Sequence, residues 1–307
     1  MNFIKKVFTL VFHKPRVLGV IGLQKFSFLV PDKPYLQMMY WLQIGKKLNL
    51  KHPVTFNEKL QWLKLYNRRP EYTIMVDKVK VKEYVANIIG EEHIIPTLGV
   101  WDDPDDIDFD ALPDKFVLKC NHNSGTGMCI CRDKSKLDIP KVKAELRKGL
   151  KENYFMKWRE WPYKNVPRKI LAEKFMVNMG GQNELRDYKF FCFNGEPKYC
   201  QVISDRNTDE KIDFYDMSWK RLVGLVGLND RVHNSGESIP CPVCFKQMKL
   251  LVAKLASGIP FSRIDFYEIN GQPYFGEITF FPAAALGSFK PKEWNTKMGN
   301  MILLPRQ

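Results

Sequence analysis

No stretch of this chain reaches the apolar length that a bilayer-spanning helix needs. It has no G-x-x-x-x-G-K-[ST] segment, so a P-loop is excluded, and no Rossmann-like glycine fingerprint. Internal repeats and low-complexity tracts are missing too. Acidic residues run short: 34 Asp and Glu stand against 48 Lys and Arg, a formal charge of +14 over 307 residues. Such an excess points to a polyanionic partner, whether nucleic acid, an anionic membrane surface or an acidic polymer. The spacing signatures of nucleic-acid modules are absent, which weighs against the first. Cysteines are seven, an odd set partly inside apolar runs, as expected for reduced cytosolic thiols. Cys241-Pro-Val-Cys244 has zinc or redox spacing but no matching second pair, so structural thiols are expected.

The composition that remains, 45% hydrophobic and 27% charged, suits one sizeable globular domain or two smaller ones. Near the N-terminus, Lys5 and Lys6 precede an apolar segment that His13, Lys14 and Pro15 cut short of a signal core. Phe3, Val7, Leu10 and Val11 alternate with Lys5, Lys6, Lys14 and Arg16. That pattern suits a helix on an anionic membrane or, equally, one packed on the protein's own core. The expected location is cytoplasmic, peripheral to the inner membrane. Residues 1–50 read as helical and basic. Thr55-Phe56-Asn57-Glu58 is a capping box before apolar residues at helical spacing, and a second amphipathic helix is expected over 77–89, ending at Gly90. A short strand is expected over 94–98, then an acidic loop over 102–110.

From Phe116 the pattern changes to a strand over 116–120, a polar turn over 121–127 and a returning strand over 128–131. A helix over 141–153 and a strand over 170–173 follow. Strands over 188–193 and 199–204, and over 263–269 and 274–279, are joined by Asn194-Gly195 and Asn270-Gly271, both strong hairpin turns. A helix over 243–256 lies between the hairpins. Mixed elements with mostly antiparallel strands predict an α+β fold.

Three places could carry chemistry. Lys119 ends a strand facing Asn123, Ser124, Gly125, Thr126 and Gly127, a turn whose backbone N–H groups could converge on phosphate; a plain hairpin with a surface lysine is the alternative. If Asn270-Gly271 pairs its strands, Asp265 and Glu277 come side by side on one face with Arg263. Two carboxylates among apolar residues suit Mg²⁺ that also holds phosphates, and Arg263 could bind an acyl-phosphate oxygen; a solvated face with a cross-strand ion pair would look similar. Glu173-Lys174-Phe175-Met176 reads as a strand end or as a hinge whose backbone contacts adenine.

A lysine strand with a Gly-bearing hairpin, a Glu-x-apolar hinge, an R-x-D and a later E-x-[NT] together resemble the ATP-grasp superfamily. Pro53-Val54-Thr55-Phe56-Asn57-Glu58-Lys59-Leu60-Gln61-Trp62 resembles the opening motif of its teichuronopeptide-biosynthesis (TupA-like) branch. Asp77-Lys78, the segment from Asp187 to Gly195, and Asp265-Phe266-Tyr267 through Phe280 fit the same branch, and the resemblance covers about residues 35–307. It implies two α+β subdomains clamping a nucleotide behind a helical N-terminal extension. The expected bounds are a basic segment at 1–50, a helical substrate or linker region at 51–115, a small subdomain with the phosphate loop at 116–175 and a C-terminal subdomain with the metal site at 176–307. It also implies ATP and Mg²⁺ as cofactors. Lys119 and residues 123–127 would hold phosphates, Glu173, Lys174, Phe175 and Met176 would line adenine, and Asp265, Glu277 and Thr279 would hold the metal. Lys189 and Arg263 would serve the reaction. Thr279 stands where better-known relatives have Asn. The implied activity joins a carboxylate of an acidic polysaccharide, or of a lipid-linked sugar precursor, to an amino acid or other amine. A glycosyltransferase using a sugar nucleotide is the alternative.

Overall fold

The computed structural model describes residues 15–177, 185–204, 209–229 and 231–306. The expected basic helix from Phe3 to Lys14 lies outside them. The described chain begins with α1 (Pro15–Lys25) and α2 (Asp32–Ile44), which ends at Gly45 in the left-handed region. Leu23, Tyr35, Leu36, Met39 and Tyr40 close a small core of their own. Arg159 ties this unit to the body: it stacks on Tyr35, pairs with Asp32 at 3.0 Å and donates to the carbonyls of Ser27 and Val30.

Next come α3 (Phe56–Tyr66), α4 (Glu71–Val76) and α5 (Lys80–Ile89). The capping box at α3 is formed in both directions: Thr55 Oγ1 accepts from Glu58 N, and Glu58 Oε2 accepts from Thr55 N at 3.0 Å. Helix α5 starts three residues later than expected. The Asp77 carboxylate instead accepts from Val79 N and the Asn121 side chain, which holds 77–79 as a turn. The first strand also starts late, as β1 (Thr97–Trp101), because Pro96 has no N–H to give a ladder.

Among the described residues, β1 joins β2 (Phe116–Cys120), β3 (Met128–Cys131) and β4 (Ile170–Lys174) in an antiparallel sheet of order β1-β4-β2-β3. Thus a strand inside the expected 51–115 region belongs to the sheet that bears Lys119. Helix α6 (Ile139–Lys151) covers this sheet through Val142 and Leu146, and α7 (Tyr154–Trp158) follows. The second sheet has the order β10-β9-β5-β6-β7, from β5 (Asp187–Phe193), β6 (Glu196–Ser204), β7 (Lys211–Asp216), β9 (Phe261–Ile269) and β10 (Gln272–Thr279). A short pair, β8 (Val226–Gly227) with β11 (Phe289–Lys290), packs beside it, together with α8 (Phe245–Ala256) and α9 (Glu293–Met301). Both Asn-Gly turns have positive φ at each residue, 51° and 89° then 52° and 77°, as type I′ hairpins require. Each sheet has its own hydrophobic core. In the larger one Phe56 of α3 is fully buried against the rings of Phe191, Phe193, Phe261 and Phe289.

The other face of α3 is polar yet buried. Asn57, Gln61 and Lys64 recur at i, i+4 and i+7 and all donate to one loop beyond β10. Asn57 bonds to the Gly287 carbonyl at 2.8 Å, Gln61 to those of Ala284 and Ala285, and Lys64 to that of Ala284 at 2.8 Å. Ala283, Ala284 and Ala285 have φ of 49°, 54° and 56°, a left-handed run that alanine adopts only under constraint. Gln61→Leu should therefore destabilise the fold by about 2 kcal/mol, since the buried Ala285 carbonyl loses its donor while the side-chain volume is kept. Urea denaturation monitored by circular dichroism measures this.

Candidate active site

The two sheets face each other across a cleft, and each contributes a charged wall. On the first sheet Val117 pairs with Glu173 and Lys119 with Leu171, so Lys119 and Glu173 are diagonal neighbours on one face. Glu173 is buried and bridges two lysines: Lys119 Nζ at 2.5 Å and, from α5, Lys82 Nζ at 2.7 Å. Burial alone would raise its carboxyl, but Lys119 and Lys82 hold it below its usual value. Lys78, just before α5, donates to the Asn123 carbonyl at 2.5 Å. Its burial pulls the ammonium down to about 8 against the attraction of Glu277.

The polar turn is pinned from behind. The Asn123 side chain donates to Thr126 Oγ1 and the Gly149 carbonyl, and Thr126 in turn donates to Glu152. Gly127, at φ 65°, lies against Cys120 and the backbone of Gly149, where a Cβ would meet Cys120 Sγ at 2.5 Å. Ser124 and Gly125 stay exposed, and Ser124 lines the cleft. At the end of β4, Lys174 is exposed, Met176 is half-buried, and Phe175 lies under the Arg132 guanidinium at 5.6 Å.

The second wall is a row across three strands. Lys189 of β5 pairs with Asp265 of β9, which pairs with Glu277 of β10; one step along, Arg263 stands opposite Thr279. A regular hairpin from Asn270-Gly271 would set Glu277 opposite Ile264. A bulge at Gly276 shifts the register by one and brings Glu277 opposite Asp265. Arg263 fills the space between the carboxylates, donating to both Asp265 oxygens at 2.7 and 2.8 Å and to Glu277 Oε1. Lys189 bonds to Asp265 and reaches Asp187 Oδ2 at 3.1 Å, and Thr279 Oγ1 donates to Glu277 at 3.1 Å. Asp265 is buried, whereas Glu277 keeps 42% of its side chain open to the cleft. Burial would raise the Glu277 carboxyl, but Arg263, Lys189 and Lys78 bring it down to about 2.

Lys78, Tyr163 and Glu277 line both the narrow space beside Lys119 and Glu173 and a cavity of about 350 Å³ beside Arg263, Thr279 and Ser124. Of the residues expected as phosphate and metal contacts, Lys119, Ser124, Glu277 and Thr279 therefore line this cleft, while Asp265 and Asn123 are buried behind it. Among the described residues no three His, Cys, Asp or Glu side chains gather as a metal cage. Two adjacent carboxylates nevertheless match the donor set of Mg²⁺, which commonly takes one or two carboxylates and completes its shell with phosphate and water. Lys78 is missing from the residues that local patterning marks as chemical. Its only signal is the Asp77-Lys78 pair within the family resemblance.

Replacing Arg263 separates the roles of this row. Arg263→Gln should cost about 3 kcal/mol of stability, because two carboxylates lose their shared cation. Millimolar Mg²⁺ should restore part of that loss and do less for the wild type. The Glu277 pairing contributes stability above the ordinary carboxyl value of 4.5 and loses it as pH falls towards about 2. In Arg263→Gln that acid-limb loss should shrink. Melting temperatures across pH, with and without Mg²⁺, check all three points.

Among proteins of curated function none matches this chain. Solved structures that resemble it include the D-alanine–D-alanine ligase of Bacillus anthracis complexed with ATP. That pair is 18% identical with a TM-score of 0.43, covering 75% of this chain and 63% of the ligase. The D-alanine–D-alanine ligase of Helicobacter pylori is 14% identical with a TM-score of 0.44, over 81% of this chain and 69% of that one. The ATP-grasp ligase PsnB with a minimal precursor, Mg and ADP is 11% identical with a TM-score of 0.38, over 78% and 60%. The chain thus spans about three-fifths of the length of the first of these ligases. The family described as TupA-like ATPgrasp matches residues 58–303, a span that takes in both walls of the cleft and most of the expected 35–307, and the chain belongs to that family, with its α+β ATP-grasp fold.

Proposed function

We propose that this protein is an ATP-dependent carboxylate–amine ligase that modifies an acidic cell-surface polysaccharide, of the capsular kind, or its lipid-linked precursor. One observation carries the reading: a lysine-rich wall of Lys78, Lys82 and Lys119 faces Glu277, which stands beside the buried Asp265, across one cleft. Polyphosphate is the ligand that answers both walls, through the lysines on one side and a bridging cation on the other.

In this reading the two sheets are the jaws, with residues 116–175 extended by β1 as the smaller one. Lys119 and Lys78 bind phosphate oxygens, residues 123–127 close over them, and Glu173 keeps Lys119 and Lys82 in place. The segment Glu173-Lys174-Phe175-Met176 lines adenine. Asp265 and Glu277, with Thr279 beside them, would hold Mg²⁺, which when bound would supply charge neutralisation for phosphoryl transfer. Arg263 would turn from the carboxylates towards the acyl-phosphate oxygens, and Lys189 orients Asp265. The substrate carboxylate attacks the terminal phosphorus, ADP leaves, and an amine then displaces phosphate from the acyl carbon to leave an amide. The +14 charge favours an acidic sugar polymer or precursor over a neutral one.

Calorimetric titration of MgATP tests the nucleotide half. Burial keeps Lys78 partly neutral above about pH 8 while a free lysine stays charged to about 10.5, and phosphate beside it restores the charged form. Binding near pH 9 should therefore take up protons, seen as a heat that varies with buffer ionisation, and Lys78→Met should abolish most of that uptake. Lys119→Ala should weaken MgATP about tenfold or more without unfolding the protein. Binding of a UDP-sugar with no binding of ATP would overturn the assignment.

A membrane surface is the further partner in this reading. Val17, Ile21, Phe26, Phe28, Leu29, Met38 and Trp41 are exposed on the α1–α2 unit, Phe28 and Leu29 by 69% and 68%, with Lys25, Lys33, Lys46 and Lys47 exposed beside them. Apolar side chains ringed by lysines suit the headgroup layer of an anionic bilayer. The full chain should sediment with phosphatidylglycerol vesicles at low salt and much less with phosphatidylcholine vesicles. Phe28→Asp with Leu29→Asp should abolish the binding; equal sedimentation with both lipids would remove the membrane from the proposal.

A further inference from the structure

The exposed apolar tip of the N-terminal unit is built against the rim of the cavity beside Arg263. Phe28 and Leu29 sit in one 3₁₀ turn between α1 and α2 and are the most exposed apolar residues described in this unit. Arg159 holds that turn in place, donating to the carbonyls of Ser27 and Val30. The Tyr35 hydroxyl of α2 donates to the Lys157 carbonyl at 2.7 Å. Lys157 and Trp158 end α7, and Tyr154 and Trp158 of this helix line the cavity. Another part of the rim makes a second contact. Leu286 packs on the core of Leu23 and Tyr35, directly after the left-handed turn whose Ala283 and Ala284 line the cavity. Tip and cavity are thus joined through one short helix, about 10 Å across with its side chains.

We propose that the sugar carboxylate activated by this enzyme is presented on a membrane lipid, with the protein docked on an anionic bilayer through the Phe28–Leu29 tip. The inference rests on the ligase reading and on its membrane partner. It chooses between the two substrates they leave open, taking the lipid-anchored precursor over the free polymer. Three features favour the anchored form. A free acidic polymer needs only cations, and Phe28 and Leu29 would be idle towards it, whereas in a bilayer they hold the cavity rim at headgroup level. The cations stand where lipid phosphates would lie. Lys25 is 5.9 Å from the Phe26 ring at the tip, and Lys164 is 5.5 Å from the Phe155 ring along the rim. Lys157 is 5.6 Å from the Trp158 ring and also pairs with Glu152 at 3.4 Å. Third, a substrate anchored in the same bilayer meets the docked cavity at a raised effective concentration, because the encounter no longer starts from free solution.

The test uses the full chain with MgATP, hydroxylamine as the amine, and two uronic acid glycosides that differ only in their anchor. Methyl glucuronide stays in water, and dodecyl glucuronide inserts into phosphatidylglycerol vesicles. Attack of the carboxylate on the terminal phosphorus gives an acyl phosphate and ADP. Hydroxylamine then displaces phosphate and leaves a hydroxamate, read as its iron complex. At equal total sugar and with vesicles in both samples, the anchored glycoside should react at least about tenfold faster. Phe28→Asp with Leu29→Asp should remove that advantage and leave the rate on methyl glucuronide unchanged. Both side chains are exposed, and an unchanged melting temperature checks that the variant folds. Equal rates on the two glycosides, or an advantage that survives in the double variant or is as large in phosphatidylcholine vesicles, would overturn the inference. So would a lack of hydroxamate from either glycoside while ATP binds. Failure of ATP to bind the wild type would overturn the ligase reading instead, and failure to sediment with phosphatidylglycerol vesicles would remove the membrane partner.

Discussion

The guanidinium of Arg263 between Asp265 and Glu277 is the contact on which the cleft depends. Two carboxylates on adjacent strands repel one another, and Asp265 is closed off from water. Arg263 satisfies both Asp265 oxygens and reaches Glu277, while Lys189 neutralises the row from the other side. Two cations, Arg263 and Lys189, are thus shared among Asp265, Glu277 and Asp187. In the proposed reading a phosphate-bound cation would take over part of that neutralisation, and the guanidinium would be released to meet an anion.

The facing wall is built on the opposite principle. Lys82 and Lys119 share a single carboxylate, Glu173, and Lys78 stands beside them, so this side keeps a positive excess. Lys78 donates to a carbonyl and sits where burial disfavours its charge. An anion would lower the energy of such a wall. The contrast between the two walls is what the proposed reading uses to set the nucleotide's direction, anion towards the lysines and cation towards the carboxylates.

Helix α3 connects these features to the rest of the molecule. Its apolar face supplies Phe56 to the aromatic core, and its polar face holds the left-handed turn beyond β10 through Asn57, Gln61 and Lys64. That turn lines the cavity beside Arg263, so one helix couples core packing to the shape of this cavity. Arg159, joined to α2 and to the segment before it, and its neighbour Glu160, in the cavity wall, make a similar link between the N-terminal unit and the cleft.

Much of this was legible in the sequence because it rests on local rules. The Asn-Gly turns need left-handed backbone that few other dipeptides accept, and they fixed two hairpins of the larger sheet. The Thr55 and Glu58 pair fixed the start of α3, and alternation of apolar residues fixed the strands that bear Lys119, Asp265 and Glu277. Only the tertiary structure decided the rest. Hairpin arithmetic from Asn270-Gly271 sets Glu277 one residue out of place, and the bulge at Gly276 corrects it. Strand β1 finds its sheet through β4, more than sixty residues away in sequence. Lys78, Lys64 and Glu160 look like ordinary surface charges in the linear chain. Their burial comes from what packs over them, and the cost of burying a charge depends on the partners that the fold brings within reach, which no local spacing records.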